Sequence, residues 1–180
     1  MDKDYKVLNL GCGEDMFGSH RIDCFKTNAT TEVANLEEGL PYPDKFFDEV
    51  YCRSVLEHIK NLGIFIDEIY RVLKPKGKLY VRTDHAGFLL AYLLDRHESN
   101  RAIDDQYQNG YGFGHVKRAG DFEDHHYHLF VASHLKYLFG KFNEHQFIYI
   151  KKGSKWWKTL FYNLLPRNMG AYHIDMICWK

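Results

Sequence analysis

The sequence predicts an α/β fold with a doubly wound, mostly parallel sheet. Short apolar runs alternate with helical patterns, a glycine turn follows the first run, and a helix-stop signal leads directly into a later run. The 180 residues are enough for one hydrophobic core, so we expect residues 1–180 to form a single domain.

The predicted strands are short apolar runs at residues 5–10, 20–25, 30–34, 47–53, 78–83, 146–150 and 174–179. Apolar residues recur at spacings of three and four from Ile59 to Leu73, which predicts the clearest helix. Pro75 and Gly77 end it, because the residue before a proline disfavours helix and glycine tolerates the turn. Further helical patterns lie at residues 86–94, 131–142 and 157–165, and the polar, glycine-rich residues 98–124 predict irregular structure.

The composition is that of a soluble globular protein, with 45% hydrophobic and 27% charged residues. Lysine plus arginine balance aspartate plus glutamate at 24 each, which argues against nucleic acid as a partner. The polar start of the chain and the lack of an apolar stretch of ~20 residues argue against a signal peptide or a membrane span. Four cysteines without CxxC spacing predict reduced thiols, three of them in the core, and we expect a cytoplasmic protein.

A glycine turn, Gly11-Cys12-Gly13, follows the first predicted strand. Glycine has no Cβ, so a ligand can lie against the backbone, and ligands of open α/β sheets bind beyond the carboxyl ends of the strands. A dinucleotide site would need a third glycine where Met16 stands and an acidic residue ~20 positions further on. Asp23 comes well before that distance, so the pattern disfavours a nicotinamide or flavin cofactor.

Three segments follow one another along the chain: residues 7–13 (VLNLGCG), residues 40–48 with 55–58 (LPYPDKFFD and VLEH), and residues 69–79 (IYRVLKPKGKL). Together they resemble the class I S-adenosylmethionine (SAM)-dependent methyltransferases of the type 11 branch. The resemblance implies a Rossmann-like sheet with an antiparallel last strand, SAM as cofactor and S-adenosylhomocysteine (SAH) as its product. Few residues separate Gly13 from the second strand, so the first crossover is predicted to be short, as in a compact subgroup of that branch.

The resemblance also implies which residues bind the cofactor. Gly11 and Gly13 would border the methionine and ribose, with Asn9 and Cys12 completing the glycine motif, and Asp23 would bind the ribose. Asn35 and Leu36 would contact the adenine, and Arg53 and Ser54 would face the carboxylate and sulfonium. Asp23 suits the ribose, because a carboxylate accepts hydrogen bonds from both hydroxyls of a vicinal diol. Asn9 replaces an acidic residue that is common in the first motif, and Asp15 stands where a third glycine is common. These departures concern cofactor affinity rather than the fold.

Histidines near the predicted site are candidates for a general base, because the pKa of imidazole lies near neutrality. The first is His85, directly after the fifth strand; its alternative role is in a capping turn with Asp84 as the N-cap. His58, in the VLEH segment, is interpreted mainly as support between helix and sheet.

The run Asp124-His125-His126-Tyr127-His128 supplies the other two candidates, His125 and His126. Alternation along an extended segment would place His126 and His128 on one face, where they could share a metal ion. Spacing provides no third ligand, so we predict no metal site.

Two segments have open interpretations. Residues 107–115 (YQNGYGFGH) form either a lid over the acceptor or an ordinary exposed loop. Residues 151–165 combine cations and aromatics ahead of an apolar stripe, for which we favour core packing over contact with a membrane surface or a lipid-linked acceptor.

The leading functional hypothesis is methyl transfer to a small molecule or a saccharide-type precursor, with a mild preference for O-methylation. A second hypothesis is a catalytically silent SAM-binding partner subunit, which Asn9, Asp15 and the compact crossover support. A third is a metallohydrolase built on the histidine cluster. The sequence does not indicate the oligomeric state.

Overall fold

The computed structural model describes residues 4–86, 115–117, 123–125, 127–151, 164–166, 168–171 and 173–180, with the backbone alone for 115–117 and 123–125. The strands are β1 (Val7–Leu10), β2 (His20–Asp23), β3 (Glu32–Val33), β4 (Phe47–Arg53), β5 (Leu73–Asp84), β6 (His115–Lys117), β7 (Glu123–His125), β8 (Asn143–Ile150) and β9 (His173–Trp179). The helices with described bounds are α1 (Leu62–Val72) and α2 (Ala132–Leu138). Single 3-10 turns lie at Leu36–Glu38 and Leu56–His58.

Seven strands form one sheet in the order β3-β2-β1-β4-β5-β9-β8. The first five strands run parallel to one another, whereas β9 pairs antiparallel with both β5 and β8. The chain winds outward in one direction from β1 to β3 and in the other from β4 onward. This confirms the predicted doubly wound, mostly parallel sheet with its antiparallel last strand.

The crossover from β1 to β2 is short and contains no helix across residues 11–19. Parallel strands usually need a dozen or more residues between them. The Ser19 hydroxyl holds the returning chain close to β1, because it accepts from the Val7 amide at 2.9 Å and donates to the Val7 carbonyl at 3.1 Å. Arg21 adds a bond from Nη1 to the Gly18 carbonyl at 2.7 Å. The prediction of a shortened first crossover is confirmed.

The hydrophobic core lies between the central strands and the apolar face of α1. Leu8, Val50 and Leu79 from the sheet are fully buried, as are Phe65 and Ile69 from the helix. Burial of such side chains contributes roughly 1.5–3 kcal/mol each to stability. Of the three cysteines within predicted strands, Cys52 and Cys178 are buried as expected, whereas Cys24 is exposed; Cys12, in the glycine turn, is buried as well.

The helix α1 begins three residues later than the stripe from Ile59 predicts. Asn61 is its N-cap, with Oδ1 accepting from the Ile64 amide at 3.3 Å, and Ile59 instead follows the 3-10 turn. At the other end, β5 starts at Leu73 rather than at residue 78, because Leu73 already pairs with Phe47 of β4.

Antiparallel β9 is fixed to β5 by a cross-strand ion pair. The Asp175 carboxylate, which is 3% exposed, accepts from Nε and Nη2 of Arg82 at 2.7 Å each. The hydroxyl of Tyr80 donates to the same carboxylate. A buried charge needs a partner, and the register that places Arg82 opposite Asp175 supplies it.

The prediction for residues 98–124 is wrong in part, because β6 and β7 pair there as an antiparallel ladder with His115 opposite His125. The rest of that segment, and the predicted helix at residues 87–94, lie outside the described residues. So do residues 152–163, which contain most of the aromatic and cationic segment, and residues 107–114 of the predicted lid. Among the described residues, no helix has both the length and the apolar character needed to cross a bilayer.

Candidate functional site

The predicted site residues gather at one edge of the sheet. β1, β2, β4 and β5 are parallel, so their carboxyl ends, at Leu10, Asp23, Arg53 and Asp84, lie on the same side. The winding direction reverses between β1 and β4, which are paired neighbours. A crevice at such a reversal is where open α/β sheets bind their ligands.

The two glycines of the turn after β1 have different physical roles. Both have left-handed backbones, with φ of +59° at Gly11 and +54° at Gly13. A Cβ on Gly11 would lie 2.3 Å from Cγ2 of Val55, whereas a Cβ on Gly13 would meet no heavy atom within 4 Å. Gly11 is therefore required by packing, and Gly13 borders open space that a ligand can occupy.

The peptide groups of Gly13 are held on both sides by the segment that ends and follows β2. Its amide donates to Oδ2 of Asp23 at 2.8 Å, and its carbonyl accepts from the Thr27 hydroxyl at 2.5 Å. Asp23 is 6% exposed, and its Oδ1 accepts from the Phe25 amide at 3.1 Å. The short first crossover thus leaves the glycine turn braced by a loop rather than by a helix. Sequence reasoning identified Asp23 and missed Thr27.

Asn9 and Cys12 are buried and support the turn from beneath. Asn9 Nδ2 donates to the Phe17 carbonyl at 3.3 Å, tying β1 to the first crossover. The Cys12 amide donates to the Ile22 carbonyl at 3.1 Å, and its thiol lies 3.9 Å from the Thr30 hydroxyl. Burial raises the pKa of the Cys12 thiol, so the sulfur stays neutral at physiological pH.

Arg53 and Ser54 lie where β4 ends. Ser54 has a left-handed φ of +52°, which is uncommon outside glycine, and its amide donates to the Arg82 carbonyl at 2.8 Å. Arg53 forms an ion pair with Asp15 of the first crossover. Asp15 was noted from the sequence only as a replacement for glycine, and no local pattern indicates its pairing with Arg53.

Asn35 and Leu36 lie at the 3-10 turn after β3. Asn35 is exposed and caps that turn, accepting from the Glu37 amide at 3.1 Å and donating to Glu38 Oε1 at 2.9 Å. Leu36 is buried. The amide of Asn35 is therefore engaged locally, and its predicted contact with adenine stays a prediction.

A buried carboxyl group lies beneath the carboxyl ends of β4 and β5. Glu57 is 1% exposed and accepts from the Thr83 hydroxyl at 2.8 Å, and burial raises its pKa. Its backbone carbonyl accepts from the amides of Tyr127 at 2.7 Å and His128 at 3.3 Å. These bonds bring the histidine run to the site edge. His58, in the same 3-10 turn, is partly exposed.

His85 is buried directly after β5. Its Nδ1 lies 3.2 Å from the Ala171 carbonyl oxygen, and its ring packs edge-on against Tyr149. Because a carbonyl only accepts, Nδ1 carries the proton in the neutral ring, and Nε2 is the basic nitrogen. Burial lowers the pKa of His85 below its usual 6.5, which keeps the ring neutral at physiological pH.

Asp84 and His173 form an ion pair that sequence reasoning missed. Nε2 of His173 lies 3.2 Å from Asp84 Oδ1, because the antiparallel register of β5 and β9 places the two residues opposite each other. The hydrogen bond to Asp84 raises the pKa of His173. Asp84, for which a capping turn was one of two sequence interpretations, thus pairs with a second histidine at this edge.

The histidine run is described only in part. His125 belongs to β7 through its backbone, and His126 lies outside the described residues. Nε2 of His128 is buried, and no hydrogen-bond partner is found for it in the described parts of the chain. Within these same parts, no three His, Cys, Asp or Glu side chains are grouped as metal ligands.

Comparisons with known proteins agree with this geometry. A family model described as a methyltransferase domain matches residues 18–81, which run from the end of the first crossover into β5. This match, together with the similar proteins described next, confirms the predicted resemblance to the class I SAM-dependent methyltransferases of the type 11 branch.

Two relatives and one solved structure illustrate the likeness. An uncharacterised protein of Methanocaldococcus jannaschii is 38% identical over 93 residues, which cover 44% of this chain and 40% of that protein. The mitochondrial ubiquinone biosynthesis O-methyltransferase of Rattus norvegicus is 45% identical over 51 residues, covering 28% and 15%. Phosphoethanolamine N-methyltransferase 2 of Haemonchus contortus, solved with SAM, has a TM-score of 0.61 at 16% identity, covering all of this chain and 49% of that one.

The extent of these matches limits what they establish. The aligned segments span less than half the length of both relatives. At 16% identity, the Haemonchus contortus structure establishes the fold of this chain alone.

Proposed function

We propose that this chain binds SAM at the carboxyl edge of its sheet and transfers the methyl group to a small-molecule acceptor, releasing SAH. The observation that carries the proposal is the open left-handed turn at Gly13 with the Asp23 carboxylate beside it. The turn lies at the winding reversal of a type 11 methyltransferase sheet. The Haemonchus contortus structure of the same fold was solved with SAM.

The residues around the turn suit the parts of such a ligand. Among the described residues, Asp23 Oδ2 accepts only the Gly13 amide, so it keeps a site for one ribose hydroxyl. Oδ1 accepts the Phe25 amide and the Cys24 thiol, and a second ribose hydroxyl would replace the thiol, which is a weak donor. The missing Cβ at Gly13 lets the ligand approach the backbone. Arg53 supplies a cation for the amino-acid end, beside Ser54. Asn35 and Leu36 flank the adenine side.

Methyl transfer needs little chemistry from the protein, because the bound sulfonium supplies an activated methyl group. The chain's own task is to hold the acceptor in line and, for a hydroxyl acceptor, to remove its proton. His85 fits that second task, since its Nδ1 faces the Ala171 carbonyl and its Nε2 is basic. His125 and His126 are further candidates from the histidine run that Glu57 anchors at the site edge.

O-methylation of a small molecule or a saccharide-type precursor is the finer form of the proposal. It is supported by the neutral, buried imidazole of His85 and by the similarity to a ubiquinone biosynthesis O-methyltransferase. The alternative of a silent SAM-binding subunit predicts binding of SAM without transfer to any acceptor.

A methyl-transfer assay tests the activity. Labelled methyl-SAM is offered with catechols, hydroxybenzoates, saccharides and amines to the wild type and to His85→Asn, which retains a donor for Ala171 but has no basic nitrogen. We expect transfer to a hydroxyl acceptor and a loss of roughly 10²-fold or more in kcat for the variant. The wild-type rate should fall on the acid side, at a pH below 6.5, because burial lowers the pKa of His85. Binding of SAM without transfer to any acceptor would contradict the activity.

A further inference from the structure

An acidic residue of the first crossover, Asp15, occupies the cation at the end of β4, Arg53. Asp15 and Arg53 form an ion pair, and their side chains are 40% and 37% exposed. Asp15 follows Gly13 by two positions, and Arg53 follows Cys52, which pairs with Leu10 at the end of β1. The pair therefore bridges the glycine turn and β4 at the winding reversal of the sheet.

Further contacts show that the pair is held in place rather than being a chance surface encounter. The second oxygen of Asp15, Oδ1, accepts from the Phe17 amide at 2.9 Å, which orients the carboxylate. The Arg53 guanidinium lies 6.0 Å from the centre of the Phe17 ring, and that ring packs edge-on against Tyr51 at 4.7 Å. Both ions are oriented by neighbours but remain open to solvent, so either can exchange its partner.

We propose that Asp15 is an internal mimic of the ligand carboxylate, and that it tunes cofactor affinity by occupying Arg53 until the amino-acid end of SAM or SAH replaces it. This inference rests on the proposed function, because it concerns the same site. A guanidinium binds one carboxylate well in its fork geometry, so binding of the ligand's carboxylate requires that Asp15 release Arg53. Asp15 is thus a specificity-determining residue that penalises ligands with a carboxylate and leaves others unaffected.

The prediction depends on one functional group of the ligand. SAH carries the carboxylate, and decarboxylated SAH retains the adenosine, the thioether and the amine without it. Asp15→Asn preserves the acceptor for the Phe17 amide and removes only the negative charge. Arg53→Gln removes the cation, and the double variant tests whether Asp15 acts through Arg53.

Calorimetry at low ionic strength measures both ligands on the wild type and the three variants. We expect Asp15→Asn to bind SAH about fivefold tighter, the upper end for an exposed ion pair, with decarboxylated SAH unchanged. Arg53→Gln should bind SAH more weakly, and the double variant should match Arg53→Gln. The gain from Asp15→Asn should shrink as salt increases.

The outcomes separate this inference from the proposed function. If the wild type binds neither SAH nor SAM, the proposed function fails. If the wild type binds SAH but Asp15→Asn leaves its affinity unchanged, weakens it, or shifts both ligands equally, the inference is overturned and the cofactor site stands. Circular dichroism and melting of each variant verify that it is folded.

Discussion

Replacing each glycine of the turn by alanine should separate packing from ligand binding. At Gly11 the new Cβ would lie 2.3 Å from Val55 Cγ2, and at Gly13 it would meet nothing within 4 Å. A left-handed backbone costs an alanine about 1–2 kcal/mol at either position. Overpacking against buried Val55 adds about 1–3 kcal/mol, so we expect Gly11→Ala to lose about 2–5 kcal/mol and Gly13→Ala only about 1–2 kcal/mol.

Urea unfolding of the two variants, repeated in a Val55→Ala background, measures the difference. With Val55 truncated, its Cβ remains 3.6 Å from the new methyl group, which is an ordinary contact. The excess cost of Gly11→Ala should then disappear, giving a coupling energy of about 1–3 kcal/mol. Equal destabilisation by the two single variants, or an excess that persists without the valine side chain, would refute the packing argument. Gly13→Ala should instead weaken SAH binding, because its methyl group occupies the open space.

Thr27→Val removes the hydroxyl that donates to the Gly13 carbonyl and accepts from the Ala29 amide, so we expect a loss of about 1–3 kcal/mol in unfolding free energy and weaker SAH binding, which Thr27→Ser should restore. Burial raises the pKa of Glu57, so its stabilising contribution is complete below pH 4.5 and is lost as pH rises through the folded pKa. Wild type should therefore lose stability relative to Glu57→Gln as the pH of urea unfolding rises above about 4.5. Asp84→Asn should lower the pKa of His173 in an NMR titration, because the carboxylate raises it.

The contribution of the Asp84–His173 ion pair to stability depends on pH. A raised pKa at His173 means that its stabilisation is complete below pH 6.5 and is lost as pH rises through the folded value. Asp84→Asn should thus destabilise more at low than at high pH, by under ~1 kcal/mol because both side chains are more than a third exposed. Normal SAH binding by Thr27→Val would contradict the role of the Thr27 hydroxyl at Gly13. A stability difference between wild type and Glu57→Gln that does not change with pH would contradict the raised pKa of Glu57. An unchanged pKa of His173 in Asp84→Asn would contradict the ion pair.

Sequence patterns predicted those parts of the fold that depend on local chemistry. The bounds of β4 (Phe47–Arg53) match the apolar run, and the few residues between Gly13 and β2 predicted the helix-free crossover. The start of β5 at Leu73 was missed, because Pro75 and Gly77 indicate a turn and the pairing of Leu73 with Phe47 depends on a distant strand.

In the candidate site, too, sequence motifs predicted some residues, whereas contacts between distant strands were not predictable. Motif positions predicted Gly13 and Asp23, which the structure brings into direct hydrogen-bond contact. The pairing of Asp84 with His173 depends on the register of strands far apart in the chain, and no local pattern indicates it. For Asn35 the local pattern is compatible with two roles, because an asparagine before a short 3-10 turn suits capping as well as ligand binding.

Calorimetric titration of SAH into the wild type and Asp23→Asn tests the central claim most directly. Asp23→Asn has the same shape and keeps one carbonyl oxygen, and thermal melting verifies that the variant is folded. The account predicts one site per chain and binding at least about tenfold weaker in the variant, a difference of roughly 1.4 kcal/mol. No SAH binding by the wild type, or equal affinity in the two proteins, would contradict the assignment of the Asp23 edge as the cofactor site.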